Sequence, residues 1–186
     1  MFSLFKKEIS GFDKKSSETI GYHIFLELDD DFKKEIKKNI EFLSEKYSGP
    51  KFEPHITLLA RIPGNSDSYI IDKSEDLAKE MKELNLVLGN IDSKESFFQA
   101  VFYKIENKDV LEHYHEVAKN IFGINDSAKY FPHASLFYGN ITPEIFSKIK
   151  KDIVPIENKT FSVNKISIYK TPGSVETWKK IAEINI

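Results

Sequence analysis

Hydrophobic and polar positions along the first third of the chain follow two different periods. Residues 20–28 are rich in aromatic and β-branched side chains, which is typical of a buried strand. Apolar residues then recur at helical spacing over 31–47, and Gly49-Pro50 ends this predicted helix. A second strand is predicted over 55–62. The pattern therefore predicts a strand–helix–strand unit at the start of the fold.

The same three elements recur later in the chain. A strand is predicted over 96–105, then a helix over 108–122 that Asn107 or Asp109 caps and Gly123 stops, and then a strand over 133–139. Because a repeated unit of this kind is typical of an internal duplication, we expect two similar lobes.

Further elements are predicted between and after these units: a helix near 74–84, a strand over 86–91, a short helix that begins at Thr142-Pro143, and closing strands over 161–169 and 175–186 joined by a Pro172-Gly173 turn. Residues 1–19 mix charged residues and Ser without periodicity. We therefore expect a loose arm over 1–19 and a single bilobal domain over 20–186.

A short phrase is repeated at the third element of each unit. Lys51-Phe-Glu-Pro-His55-Ile-Thr57-Leu58 aligns with Lys129-Tyr-Phe-Pro-His133-Ala-Ser135-Leu136. Side chains two residues apart on a strand point to the same face, so each strand presents an imidazole and a hydroxyl together. The Pro of each phrase lacks an N–H, which suits the first position of a strand.

Two imidazoles and two hydroxyls meet in one cleft if the lobes face each other. A neutral His can then accept a proton from water while a protonated His donates one to a leaving oxygen, and both groups titrate near neutral pH. The hydroxyls of Thr57 and Ser135 can donate hydrogen bonds to phosphate oxygens. This set suits phosphodiester hydrolysis, and it requires neither a metal nor a covalent intermediate.

Composition narrows the classes of protein to consider. The 186 residues contain no Cys, which excludes a disulfide framework, a thiolate metal site and a Cys nucleophile. The net charge of −2, and the presence of a single arginine (Arg61) among 27 basic residues, are unlike a protein that coats nucleic acid. No stretch approaches the ~18 apolar residues of a membrane span. We expect a cytoplasmic protein without a membrane partner.

Other polar residues suggest simpler roles. His113 and His115 are two apart on a predicted helix, so they cannot share a face as metal ligands, and we expect both to be solvated. His23 lies in a strand, and we expect it to be packed or hydrogen-bonded. Tyr138 is a candidate for stacking on a nucleotide base, although it lies on the opposite strand parity from Ser135.

The paired His-x-Thr/Ser-Leu phrases resemble those of the 2H phosphoesterase superfamily. Within it, the chain resembles cyclic phosphodiesterase-like proteins of plants and yeast over residues 20–186. The segments that carry this second resemblance are Gly21-Tyr22-His23-Ile24-Phe25, His133-Ala-Ser-Leu-Phe-Tyr-Gly139 and Val175-Glu-Thr-Trp178.

The resemblance implies a bilobal α+β fold with pseudo-two-fold symmetry and antiparallel sheets around a central cleft. It implies metal- and cofactor-free hydrolysis of a cyclic phosphate of a small nucleotide, such as a nucleoside 2′,3′-cyclic phosphate or ADP-ribose 1″,2″-cyclic phosphate. By matching positions, His55 and His133 are the acid–base pair in either order, and Thr57 and Ser135 bind the phosphate.

Two other functions remain open at this point. Related proteins act on RNA ends or on 2′,5′-linked oligonucleotides, and a silent nucleotide-binding module would use the same cleft. The intact His and hydroxyl in both phrases argue against a silent module. We expect a monomer with a small nucleotide as its partner.

Overall fold

The computed structural model describes residues 17–64, 66–156 and 158–186. These residues form four α-helices and eight strands: β1 Thr19–Glu27, α1 Asp30–Tyr47, β2 Ile56–Ile62, α2 Asp67–Glu80, β3 Leu84–Asp92, β4 Val101–Ile105, α3 Asp109–Phe122, β5 His133–Phe137, α4 Pro143–Asp152, β6 Thr160–Val163, β7 Lys165–Gly173 and β8 Lys179–Asn185. Most of the predicted arm, residues 1–16, lies outside the described residues, and Thr19 already belongs to β1.

The eight strands form one sheet in the order β6-β3-β4-β5-β2-β1-β7-β8. Each pair of neighbours is antiparallel. The central pair, β5 and β2, is joined through the single residue pair Ile56↔Ala134, whereas β1 and β7 pair along nine residues of each strand. The fold is therefore α+β, as predicted.

Amphipathic helices cover the sheet. In α1, Phe32, Ile36, Ile40 and Leu43 are buried, as their spacing predicts. Asp29 caps this helix by accepting a hydrogen bond from the backbone N–H of Phe32. α1 packs mainly on β5, and α3 packs mainly on β2. Each helix thus lies against the His-bearing strand of the other strand–helix–strand unit.

Several predicted boundaries are wrong for local reasons. The second helix begins at Asp67 rather than near 74, because the Ser66 hydroxyl caps it by accepting from the N–H of Tyr69. The predicted strand 96–105 begins only at Val101, since residues 97–99 form a 3₁₀ turn. Neither Asn107 nor Asp109 caps α3.

Asn107, in the turn after β4, instead binds the backbone of β3. Its side chain accepts from the N–H of Val87 and donates to the carbonyl of Asn85, at 2.8 Å in both cases. Gly123 ends α3 in the left-handed conformation and Thr142 caps α4 through the N–H of Ile145, so these two predicted helix boundaries are confirmed.

The predicted closing strands are also wrong. Residues 161–169 are divided at Asn164 into β6, which pairs with β3, and β7, which pairs with β1. Pro172 and Gly173 lie within β7, and the turn that follows is a 3₁₀ turn at Val175–Thr177. No helix in the described part of the chain is both long and apolar enough to cross a membrane.

Candidate active site

Each of the two predicted catalytic histidines is hydrogen-bonded to the backbone carbonyl of the residue two positions before it. Nδ1 of His55 lies 2.6 Å from the carbonyl oxygen of Glu53, and Nδ1 of His133 lies 2.8 Å from that of Phe131. A carbonyl oxygen can only accept, so Nδ1 carries the hydrogen in both rings. In the neutral ring, Nε2 therefore carries the lone pair that can accept a proton.

The repeated proline explains this shared geometry. Pro54 and Pro132 stand between each histidine and the carbonyl that it binds. Proline fixes its own φ and restricts the preceding residue to extended conformations. The acceptor carbonyl, which is bonded to the proline nitrogen, is therefore held in place before the strand begins.

The imidazoles and hydroxyls of the repeated phrases share one face of the sheet; they belong to His55, Thr57, His133 and Ser135. Because Ile56 pairs with Ala134 and both are buried on the opposite face, their flanking residues point the other way. His55, Thr57 and His133 line a cavity of about 640 Å³ whose walls come from both units.

The two predicted phosphate-binding hydroxyls differ. Thr57 is half-buried and lines the cavity. Ser135 is 4% exposed, and its hydroxyl donates to the carbonyl of Phe98 at 3.2 Å. Ser135 can donate to a ligand only after it releases this carbonyl.

Tyr138, the predicted base-stacking residue, is mostly buried, and one face of its ring is covered. Its side chain is 3% exposed, and its ring stacks on Phe52 with centroids 3.8 Å apart. Its hydroxyl lies 3.5 Å from Nε2 of His55. Tyr138 nevertheless lines the cavity that contains both histidines, so its stacking on a base stays a prediction.

Two half-buried aromatic side chains in the cavity wall are better placed to contact a base. Phe98 and Trp178 stack at a centroid distance of 5.9 Å. A second cavity, of about 450 Å³, begins where Trp178, Phe25 and His55 form a shared wall. Phe25 also stacks on the His55 ring at 3.7 Å, which leaves that ring little freedom to rotate.

Two residues that support β2 were not found from the sequence. His115 Nδ1 donates to the carbonyl of Leu58 at 2.7 Å, and the Tyr130 hydroxyl donates to that of Thr57 at 2.9 Å. The two rings stack 4.1 Å apart, nearly parallel. The prediction that His115 is solvated is therefore wrong, whereas His113 is exposed as predicted.

Burial controls the protonation of the site. It lowers the pKa of His55 to about 4, although the Glu53 carbonyl and the charge of Glu27 act to raise it. Burial also lowers the pKa of His133, against the effect of its bond to the Phe131 carbonyl. The free protein therefore holds both rings neutral at pH 7.

Two further polar groups lie close to His55. His23 is 6% exposed, hydrogen-bonded to the Thr19 hydroxyl at 3.1 Å, and burial lowers its pKa to about 3, so its packed role agrees with the prediction. Glu27 is a buried carboxylate that forms ion pairs with Lys33 at 2.7 Å and Lys180 at 2.9 Å.

No three His, Asp or Glu side chains in the described ranges stand close enough together to hold a metal ion.

We predict that the imidazoles of His55 and His133 are both neutral at pH 7, with the hydrogen on Nδ1. Long-range ¹H–¹⁵N NMR spectra will show this tautomer, and His55→Asn and His133→Asn will assign the two sets of signals. On acidification, His55 should gain its proton only near pH 4. A hydrogen on Nε2, or an imidazolium at pH 7 in either ring, would contradict the geometry.

Sequence comparisons identify a family, and structure comparisons identify the fold. Residues 16–186 match the family model of cyclic phosphodiesterase-like proteins. A cyclic phosphodiesterase of Arabidopsis thaliana is 24% identical over 172 residues, which covers 89% of this chain and 94% of that protein.

Among solved structures, E. coli LigT complexed with 3′-AMP is similar at a TM-score of 0.58 with 10% identity, covering 90% of this chain and 98% of LigT. Kluyveromyces marxianus Usb1 is similar at a TM-score of 0.50 with 12% identity, covering 92% and 99% of the two chains. At these identities the likeness shows the fold. The chain is thus a phosphodiesterase that belongs to the cyclic phosphodiesterase-like protein family of the 2H phosphoesterase superfamily.

Proposed function

We propose that this phosphodiesterase hydrolyses the cyclic phosphate of a small nucleotide by acid–base catalysis with His55 and His133. The substrate is a nucleoside 2′,3′-cyclic phosphate or ADP-ribose 1″,2″-cyclic phosphate. The observation that carries the proposal is the repeated bond from Nδ1 to a backbone carbonyl. It leaves two Nε2 atoms available for proton transfer on the same face of the sheet.

The reaction needs one protonated ring and one neutral ring. Nε2 of the neutral ring takes a proton from water as the water oxygen bonds to phosphorus. The bond from phosphorus to one ribose oxygen breaks, and Nε2–H of the other ring protonates that oxygen. The product is a phosphomonoester beside a free hydroxyl, and the two rings return to their starting states by proton exchange.

The positions of His55 and His133 in the sheet support their assignment as an acid–base pair. His55 and His133 each precede a residue of the pair Ile56↔Ala134, so they are diagonal neighbours across an antiparallel junction. Diagonal neighbours have Cα atoms about 7–8 Å apart. A phosphate group and an attacking water fit between side chains at that separation.

Thr57 and Ser135 are proposed to donate hydrogen bonds to the non-bridging phosphate oxygens. Thr57 already faces the cavity, whereas Ser135 must exchange the Phe98 carbonyl for the phosphate. That exchange replaces one hydrogen bond with another, so the net contribution of Ser135 is the smaller of the two.

A small nucleotide fits the cavity in size and chemistry. The cavity volume of about 640 Å³ is within the usual range of small-molecule sites. The Phe98–Trp178 pair offers the half-buried aromatic surface that a base needs. LigT, which shares the fold, has been solved with 3′-AMP, with ATP and with NADP⁺.

We also propose that residues 20–186 form one bilobal domain built by duplication around a central cleft. The strand order supports this, because β2-β1-β7-β8 on one side of the centre is matched by β5-β4-β3-β6 on the other. One chain lines the cavity with both histidines, which supports a monomer. The absence of Cys is compatible with the reducing cytoplasm.

The decisive experiment is a turnover assay, with EDTA present, of cyclic mononucleotides, ADP-ribose 1″,2″-cyclic phosphate and short oligonucleotides with 2′,5′ linkages or cyclic phosphate ends. We expect His55→Ala and His133→Ala each to lower kcat by about 10²–10⁴-fold, the usual effect of losing a general acid or base. The kcat of the double variant should fall far less than the product of the two single decreases, because the pair acts as a unit.

His113→Ala is the matched control, since His113 is exposed and lies outside the cavity. Near-normal turnover by a folded single variant at His55 or His133 would refute the two-histidine mechanism. Turnover of oligonucleotides alone would reassign the substrate, and nucleotide binding without any turnover would indicate a silent module.

The pH profile of kcat/KM should be bell-shaped with its maximum below pH 6.5, the ordinary pKa of His. The reactive form holds one proton on the pair, and burial lowers both pKa values, so the free protein at pH 7 holds none. Activity should therefore rise as the pH falls from 7. A bound anionic phosphate stabilises the imidazolium. The alkaline limb of the kcat profile should therefore lie at higher pH than that of the kcat/KM profile. A flat profile, or a maximum above pH 7, would contradict this model.

Substitution of the two hydroxyls should separate their roles from those of the histidines. Thr57→Val removes a donor to a charged group, which costs ~1.5–3 kcal/mol and lowers kcat/KM by about ten- to a hundredfold. Ser135→Ala should lower it by less than about tenfold, because its own bond to Phe98 is lost from the free enzyme as well. Both variants should keep both limbs of the pH profile. The opposite ranking, or the loss of a limb, would show that these roles are assigned wrongly.

A further inference from the structure

Arg61 is the only arginine in the chain, and its backbone is unusual. It has a φ of 55° although it lies within β2. The two other non-glycine residues of positive φ in the described part are Ser48, which ends α1, and Asn158, which lies in a turn. A left-handed conformation is unfavourable for a residue with a side chain.

A β-bulge produces this conformation. Tyr22 pairs with Ile62 and Ile24 with Leu59, so two residues of β2 stand opposite one residue of β1. Gly21 permits the close approach, since a Cβ there would lie 2.9 Å from the Ile62 carbonyl oxygen. Bulges change the direction of a side chain, and strain of this kind concentrates at functional sites.

The bulge places Arg61 in the wall of the cavity that holds the two catalytic histidines. Its side chain is exposed, and none of the carboxylates in the described residues forms an ion pair with it. The acidic residue among the lining residues, Asp126, lies 3.5 Å from Lys119. The cavity therefore holds an arginine whose charge is not neutralised by the protein.

The position of Arg61 separates it from the reacting phosphate. It lies four residues beyond Thr57 on the same strand, or about 13 Å along an extended backbone. Thr19 and Gln99 line the cavity too and offer further polar groups. A ligand group held there would be separated from the cyclic phosphate by at least one sugar.

We propose that Arg61 forms a second anion-binding subsite, which makes the enzyme favour nucleotides that carry a further phosphate or diphosphate group. The inference rests on the proposed function for the identity of the substrate. A guanidinium presents paired donors that match phosphate oxygens, and it remains charged at every working pH. The strained bulge is explained by this role.

The test uses two substrates that differ by one group: adenosine 2′,3′-cyclic phosphate with and without a 5′-phosphate. We measure the ratio of their kcat/KM values for the wild type, for Arg61→Gln and for Arg61→Lys. Arg61→Gln should lower the preference for the 5′-phosphorylated substrate by about ten- to a hundredfold, mainly through KM, as expected for the loss of a charged hydrogen bond. The preference of Arg61→Lys for the 5′-phosphorylated substrate should lie between those of the wild type and of Arg61→Gln.

Lys38→Gln is the matched control, because Lys38 is exposed and lies outside both cavities. A merely structural role of Arg61 would lower kcat/KM for both substrates and leave their ratio unchanged, which would overturn the proposal.

Calorimetry with ADP separates this proposal from the proposed function. ADP that binds the wild type and binds Arg61→Gln at least tenfold more weakly would support the subsite, even if the wild type hydrolysed neither substrate and the proposed function failed. Equal binding to both proteins, or no binding to the wild type, would overturn the subsite whatever the enzyme hydrolyses.

Discussion

The junction between β2 and β5 organises this molecule. One residue pair, Ile56↔Ala134, joins the two strands at the centre of an eight-stranded sheet. Because strand side chains alternate, this single contact sends two apolar side chains into the core and four polar ones to the opposite face. A slip of one residue in either strand would bury an imidazole and a hydroxyl and expose the residues that now pack inside.

The cavity lies beside this short junction. Buried backbone carbonyls of β2 near the junction need a hydrogen-bond donor. Tyr130 and His115 supply it from outside the sheet by binding the carbonyls of Thr57 and Leu58. This part of β2 is thus stabilised by side chains that the chemistry itself does not require.

Sequence periodicity identifies the helices and strands that pack against the core with one face along their whole length. α1 and the two His-bearing strands are predicted to within a few residues, since their apolar positions repeat regularly over a buried surface. The division at Asn164 is invisible to periodicity, because β6 and β7 are both apolar strands and differ only in their distant partners. The same reason hides the role of His115, whose partner Leu58 is 57 residues away.

In the candidate site, too, the sequence predicts the features that are local and misses those that depend on distant contacts. The repeated phrase predicts which residues share a face, because that depends only on local alternation. It does not predict that Ser135 binds the Phe98 carbonyl, that the Tyr138 ring stacks on Phe52, or that Phe98 and Trp178 stack. Each of these depends on a chain reversal or a strand end that brings remote segments together.

The crossed placement of α1 and α3 has a consequence for how the chain reaches this structure. α1 ends at Tyr47 but rests on β5, which begins at His133, and α3 rests on β2, which precedes it. Neither strand–helix–strand unit can complete its own core from local contacts, so large loops must close before either helix finds its surface. Loop-closure entropy grows only slowly with length, so the effect on the free energy of unfolding is small. The effect on rate is larger, because folding slows as contacting residues become more distant in sequence. During synthesis, the first half of the chain emerges with one flank of α1 uncovered, and it stays so until the second histidine strand is made.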